Sequence, residues 1–212
     1  MVAAAGDAGF FLPPHTRAVD QSELFGKPAP ALPPGMRLEA EFLSRDDEAA
    51  LISIIEQLPL ARMQYQQYEA LRRVVSYGGQ YDFSAQKLEA AEPLPSWLDP
   101  LRERAGAWAG IAPAAFTHAL VAEYQPGTPL GWHRDVPDFE DIVGVSLGNE
   151  AVMRFRRYPH EKGSREALKL ALPPRSIYLL RGPARWGWQH SVAPTKALRY
   201  SITLRTAAKR GV

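Results

Sequence analysis

From residue 116 onward the chain breaks into eight short β-type runs, at 116–124, 130–135, 142–147, 151–157, 168–172, 176–180, 188–192 and 199–205, punctuated by Gly, Pro and Asn. Short runs of this kind with turn signals between them make sheets, and eight of them match the two-sheet jelly roll. The expected class is α+β: a double-stranded β-helix (jelly roll) core over about 116–206, with supporting N-terminal helices packed on one outer sheet.

The helices are marked upstream. Ser44 and Asp47 have the spacing of a capping box, and Leu51, Ile54, Ile55 and Leu58 follow at helical intervals until Pro59 stops the run. A second stripe starts at Ser96, with Trp97, Leu98, Leu101, Ala105 and Trp108 before Gly110 and Pro113. Residues 13–35 carry Pro13, Pro14, Pro28, Pro30, Pro33 and Pro34 with little periodicity, so 1–35 is expected to be an extended Pro-rich lead-in. Residues 36–212 are then expected to form a single domain, because 212 residues that are 46% hydrophobic and 23% charged can bury one substantial core.

No apolar run approaches the roughly eighteen residues of a membrane span, and residues 1–14 lack the basic start and apolar stretch of a secretory signal. The expectation is a cytoplasmic monomer that does not engage a membrane. The absence of cysteine excludes zinc fingers, thiolate catalysis, iron–sulfur clusters and disulfide scaffolds, so any metal must be held by His, Asp or Glu. A net charge of +2 conceals an asymmetry: residues 151–212 hold fourteen Lys or Arg against Glu161 and Glu166 alone. That half is either a footprint for an anionic partner such as nucleic acid, or a solvated surface.

Within the β region, strand alternation puts His133 and Asp135 on one face and Arg134 on the other. His190 follows Trp186 and Trp188 in the run 188–192 and is the best third ligand, expected from a strand of the facing sheet. Two imidazoles and a carboxylate hold one face of Fe(II) and leave the opposite face open to a co-substrate and O2. Taken alone, the His-x-Asp pair also fits a hydrogen-bonded turn. A kinase catalytic loop would need Asn at position 140, where this chain has Glu140.

The closing strand adds specificity. Alternation there puts Arg199, Ser201, Thr203 and Arg205 on one face and Tyr200, Ile202 and Leu204 on the other. Two arginines facing a barrel interior cost desolvation unless an anion is bound, and a dicarboxylate would satisfy both. Six residues of strand span about 20 Å, so the side chains must lean together or the strand must coil. An edge strand with its arginines in solvent is the alternative.

Together these residues resemble the AlkB-like family of 2-oxoglutarate- and Fe(II)-dependent dioxygenases. The resemblance covers roughly 36–206 and is most specific at Tyr124-Gln125-Pro126-Gly127, at 130–135, at Val145-Ser146-Leu147-Gly148 and at 199–205. It implies that His133, Asp135 and His190 bind iron, and that Tyr124, Arg199, Ser201 and Arg205 hold the co-substrate. The family's oxidation of 2-oxoglutarate to succinate and CO2 drives hydroxylation of a methyl group, and an N-hydroxymethyl product releases formaldehyde. The implied substrate is an alkylated nucleic-acid base, met by a lid over 71–83 that offers Arg72, Arg73, Tyr77 and Tyr81, with Trp188 as a further contact. Arg154, Arg156, Arg157, Arg181 and Arg185 are expected to grip phosphate. The chain departs from the family pattern in having Ala122 and Ser201 where Asn is frequent, and Pro137 where an acidic residue often faces a cationic base. These departures bear on the substrate, so hydroxylation or demethylation of a protein or small molecule stays open. A jelly roll that binds nucleic acid without turnover is the rival from another class.

Overall fold

The computed structural model describes residues 32–65, 68–82, 87–89, 92–161 and 167–208, and of residues 63–69 and 80–89 only the backbone where they lie in strands. The strands are β1 (Met36–Glu39), β2 (Ala61–Tyr65), β3 (Tyr68–Tyr77), β4 (Gln80–Asp82), β5 (Lys87–Glu89), β6 (Phe116–Tyr124), β7 (Leu130–His133), β8 (Phe139–Leu147), β9 (Ala151–Arg157), β10 (Leu168–Leu172), β11 (Ile177–Leu180), β12 (Trp188–Val192) and β13 (Arg199–Ala207). The α-helices are α1 (Arg45–Ile55), α2 (Asp99–Ala109) and the short α3 (Pro183–Trp186), with single 3-10 turns at Ser96–Leu98 and Pro113–Ala115.

The eight strands from β6 onward divide four and four. A seven-stranded antiparallel sheet runs β1-β11-β8-β13-β6-β3-β2, and a four-stranded one runs β10-β9-β12-β7. Consecutive strands therefore cross from one sheet to the other at every step except β9 to β10, which pair with each other, the winding of a jelly roll. Between them lies the apolar cluster of Met153, Phe155, Leu170, Leu172, Tyr178 and Trp188. On the far side of the larger sheet, Val121, Val145, Ile202 and Leu204 share a second cluster with Ile55 of α1 and Leu101 and Ala105 of α2. Ser44 caps α1 through a complete capping box with Asp47, and Gly110 ends α2 in the left-handed conformation at φ 68°.

Three details differ from the sequence reading. Strand β7 stops at His133, so Asp135 sits just beyond a strand end. The run 71–77 lies in β3, which pairs with β6 through Arg73↔Glu123 to Tyr77↔Ala119 and so widens the larger sheet, with Leu71, Arg72 and Ser76 in the wall of the cavity described below. Strand β1 was also unforeseen, and it covers the edge of β11 from Met36↔Leu180 to Glu39↔Ile177. Residues 1–31, most of the expected lead-in, lie outside the described residues.

Candidate metal and co-substrate site

A cavity of ≈ 390 Å³ opens between the two sheets, with His118, Tyr124, His133, Asp135, His190 and Arg199 in its wall. Its ligand cluster follows from register. Strands β7 and β12 pair antiparallel with His133 opposite His190, so the two imidazoles project side by side from neighbouring strands of one sheet, not from facing sheets as the sequence reading expected. Their ring centroids are 4.3 Å apart. Asp135 turns its Oδ2 to 3.6 Å from His190 Nε2, and the three potential ligand atoms lie within 4.8 Å of one another.

The protonation states suit a cation. His133 Nδ1 is 2.9 Å from the Gly131 carbonyl, which only accepts, so Nδ1 carries the proton and Nε2 presents its lone pair. Burial pushes the His133 imidazole below its ordinary pKa and the His190 imidazole down to about 3, so both are neutral. Burial would raise the Asp135 carboxyl, but the Arg205 guanidinium overrides it and holds the group well below the usual carboxylate range. Arg205 donates from Nε (3.0 Å) and Nη2 (2.8 Å) to Oδ1, which leaves Oδ2 facing the histidines. Behind it, His118 Nδ1 lies 3.2 Å from Arg205 Nη1. Arginine only donates, so His118 accepts there; burial, then the neighbouring Arg205 charge, depress it to about 3.

The other end of β13 is differently provided. Arg199 is 2% exposed, donates from Nε to Ser146 Oγ at 3.2 Å and lies 4.9 Å over the Tyr124 ring. Its buried Nη1 has no hydrogen-bond partner among the described residues. Arg72 Nη1 donates to the Tyr124 hydroxyl at 3.4 Å, and Ser201 lines the same cavity. Ser201 stands opposite both Ala122 and Ser146, so the two positions where Asn was expected are cross-strand neighbours. Beside them Tyr178 reaches the cavity across Gly144, where a Cβ would collide with its ring.

The expected substrate contacts are only partly brought together. Arg72 lines the cavity, but alternation in β3 turns Arg73 and Tyr77 to the other face. Arg73 forks Glu123 at 2.8 and 2.6 Å, and Tyr77 packs edge-on against Trp97. The Tyr81 side chain lies outside the described residues. Trp188 is 8% exposed inside the apolar cluster and is not in the cavity wall. Two of the expected phosphate-binding arginines are also otherwise engaged: Arg181 pairs with Asp141 at 2.8 and 2.9 Å, and Arg185 is buried on the carbonyls of Val136 and Phe139. The sequence reading missed His118 and Tyr178. Alternation along β6 already put His118 on the Tyr124 face, a signal available without coordinates.

Among known proteins, the family model of the 2OG-Fe(II) oxygenase superfamily matches residues 40–205. The chain is 28% identical over 173 residues to a tRNA (carboxymethyluridine(34)-5-O)-methyltransferase of Xenopus tropicalis, covering 79% of this chain and 26% of the relative. It is 29% identical over 181 residues to an alkylated DNA repair protein ALKBH8 homolog of Arabidopsis thaliana, covering 75% of this chain and 51% of that protein. The chain thus spans between a quarter and half of the length of these relatives. The solved structure of OsALKBH1 superposes with a TM-score of 0.63 at 17% identity, over 83% of this chain and 100% of that one, a likeness of fold.

Proposed function

The chain belongs to the 2OG-Fe(II) oxygenase superfamily, whose cofactors are Fe(II), 2-oxoglutarate and O2, and on that premise we propose that this AlkB-like dioxygenase oxidatively demethylates alkylated nucleic-acid bases. In this reading His133 and His190 through Nε2, and Asp135 through Oδ2, hold the iron. Arg199, Tyr124 and Ser201 seat a carboxylate of 2-oxoglutarate, and Arg205 borders that site while fixing Asp135. When bound, the iron couples oxidative decarboxylation of 2-oxoglutarate by O2 to insertion of one oxygen atom into a substrate C–H bond.

The protein's own part is positional and electrostatic. Neutral imidazoles and an ionised carboxylate need no proton release before a divalent ion enters. The one observation that carries the reading is Arg199: a buried guanidinium with an unpartnered nitrogen beside that ligand cluster is costly without an anion, and a carboxylate relieves the cost. The nucleic-acid assignment is supported by the names of the relatives, which speak of tRNA and of alkylated DNA. Pro137, together with apolar Leu71, Leu130 and Val136 in the cavity wall, favours a substrate without a positive charge at the reacting group.

Aerobic incubation with Fe(II), 2-oxoglutarate and a mixed panel of methylated DNA, RNA and peptides, read by mass spectrometry, tests the reading. A nucleic-acid member should lose a methyl mass, with formaldehyde and succinate formed. Modification of peptides alone, or succinate formation that no nucleic acid stimulates, overturns the nucleic-acid assignment.

A further inference from the structure

The two sheets differ on their outer faces. Helices α1 and α2 pack on the larger sheet, whereas the outer face of the four-stranded sheet carries Arg154 and Arg156, two of the arginines expected to meet phosphate, together with Lys169. Strand pairing places Lys169 opposite Arg154 and Arg154 opposite Ser191, with Arg156 opposite Gln189 in the next row. Arg154 donates to Ser191 Oγ at 3.0 Å and Arg156 to Gln189 Oε1 at 2.8 Å, so both guanidiniums are held by neutral groups on β12. No acidic residue occurs in β7, β9, β10 or β12. None of the three cations forms an ion pair among the described residues.

Aromatic rings are interleaved with these charges. Arg156 and Arg154 lie 4.5 and 5.2 Å from the centre of the Trp132 ring, and Arg134 lies 3.6 Å over Tyr158, which is 42% exposed. Trp132 precedes His133 and also lines the cavity, so the basic face is continuous with the cavity mouth. Cations two residues apart on a strand, about 7 Å from one another, with flat rings between them, suit a single-stranded polynucleotide: phosphates meet the cations, bases stack on the rings, and no sequence is read.

We propose that the outer face of the four-stranded sheet is a track for the single strand flanking the modified residue, with Arg154, Arg156 and Lys169 on its phosphates and Trp132 and Tyr158 against its bases. The track rests on the nucleic-acid reading of the cavity and adds a binding surface to it.

The test measures binding of unmodified 20-nucleotide single strands by fluorescence anisotropy across a salt series, so the result does not depend on which base is oxidised. Arg154→Ser/Arg156→Ser/Lys169→Ser should weaken binding at least about tenfold near 100 mM salt and flatten the slope of log Kd against log salt by about 2, since each single-strand phosphate contact adds about 0.7. Arg45→Ser, on exposed α1, should change neither. Photocrosslinking of the unaltered protein to a thiouridine-bearing strand keeps the test independent of how the triple variant folds, and should mark peptides holding Trp132 and Tyr158. Unchanged affinity and slope in the folded triple variant, or crosslinks confined to β3, overturn the track. If methylated strands are demethylated while the triple variant binds as the unaltered protein does, the track alone falls. If unmodified strands bind this face but no methylated strand is turned over, the demethylase reading falls and the track stands.

Discussion

The two ends of β13 present one arginine each, and they are in opposite condition. Arg205 is saturated: Asp135 Oδ1 takes two of its nitrogens and His118 a third. Arg199 is more deeply buried, yet among the described residues it meets the Ser146 hydroxyl and the Tyr124 ring, and its Nη1 is unpartnered there. The sequence reading expected a shared anion to answer both charges. The difference teaches that one end of the strand is assembled in advance, fixing a carboxylate for a metal, while the other keeps an unmet charge for a ligand.

The largest effect should come from the assembled end. His133→Ala or His190→Ala is expected to reduce 2-oxoglutarate turnover to background and to abolish tight Fe(II) binding by calorimetry, while the far-ultraviolet circular dichroism is retained. Arg199→Met should raise the KM for 2-oxoglutarate by roughly 10- to 100-fold, because hydrogen bonds to charged groups contribute about 1.5–3 kcal/mol. It should also leave the ligand-free protein no less stable, since it removes an uncompensated buried charge. Loss of stability without a change in KM would remove Arg199 from the ligand end. Arg205→Met should do the reverse, lowering Fe(II) affinity by about 10- to 100-fold as a displaced supporting partner does, with a smaller change in the KM for 2-oxoglutarate.

Acid should act on the assembled end. His118 and His190 are held down to about 3 against an ordinary 6.5. The unfolded chain therefore takes up protons from about pH 6.5 downward, while the folded one refuses them until about pH 3. Stability of the metal-free protein should be level above pH 6.5 and fall progressively between 6.5 and 3, as followed by urea denaturation. His118→Phe should flatten that fall. The smallest effect is expected far from both ends: Ser44→Ala breaks the α1 capping box and should cost about 1 kcal/mol with turnover unchanged.

Which features were legible in the sequence follows the range of the interactions. The inward face of β13 was readable because alternation is local, and Tyr200, Ile202 and Leu204 do lie in the cluster beneath α1 and α2 while Arg199, Ser201, Thr203 and Arg205 line the cavity. The eight β runs were readable because Gly and Pro bound them. The pairing of His133 with His190 was not, since a jelly roll brings strands together across long separations that no local pattern encodes. Arg73 and Tyr77 were misassigned for the same reason: once β3 docks on β6, strand parity alone sends them to Glu123 and Trp97, away from the cavity. The basic composition after residue 150 was plain, but only partner geometry separates Arg181 and Arg185, which are tied to Asp141 and to carbonyls, from Arg154 and Arg156 on the open face.

An anaerobic crystal structure with a divalent metal and 2-oxoglutarate examines the contrast between the ends of β13 most directly. The account predicts one ion about 2.0–2.2 Å from His133 Nε2, His190 Nε2 and Asp135 Oδ2, with a carboxylate of the diacid on Arg199 Nη1. An ion bound elsewhere, or a diacid that leaves Arg199 unpaired, would contradict it.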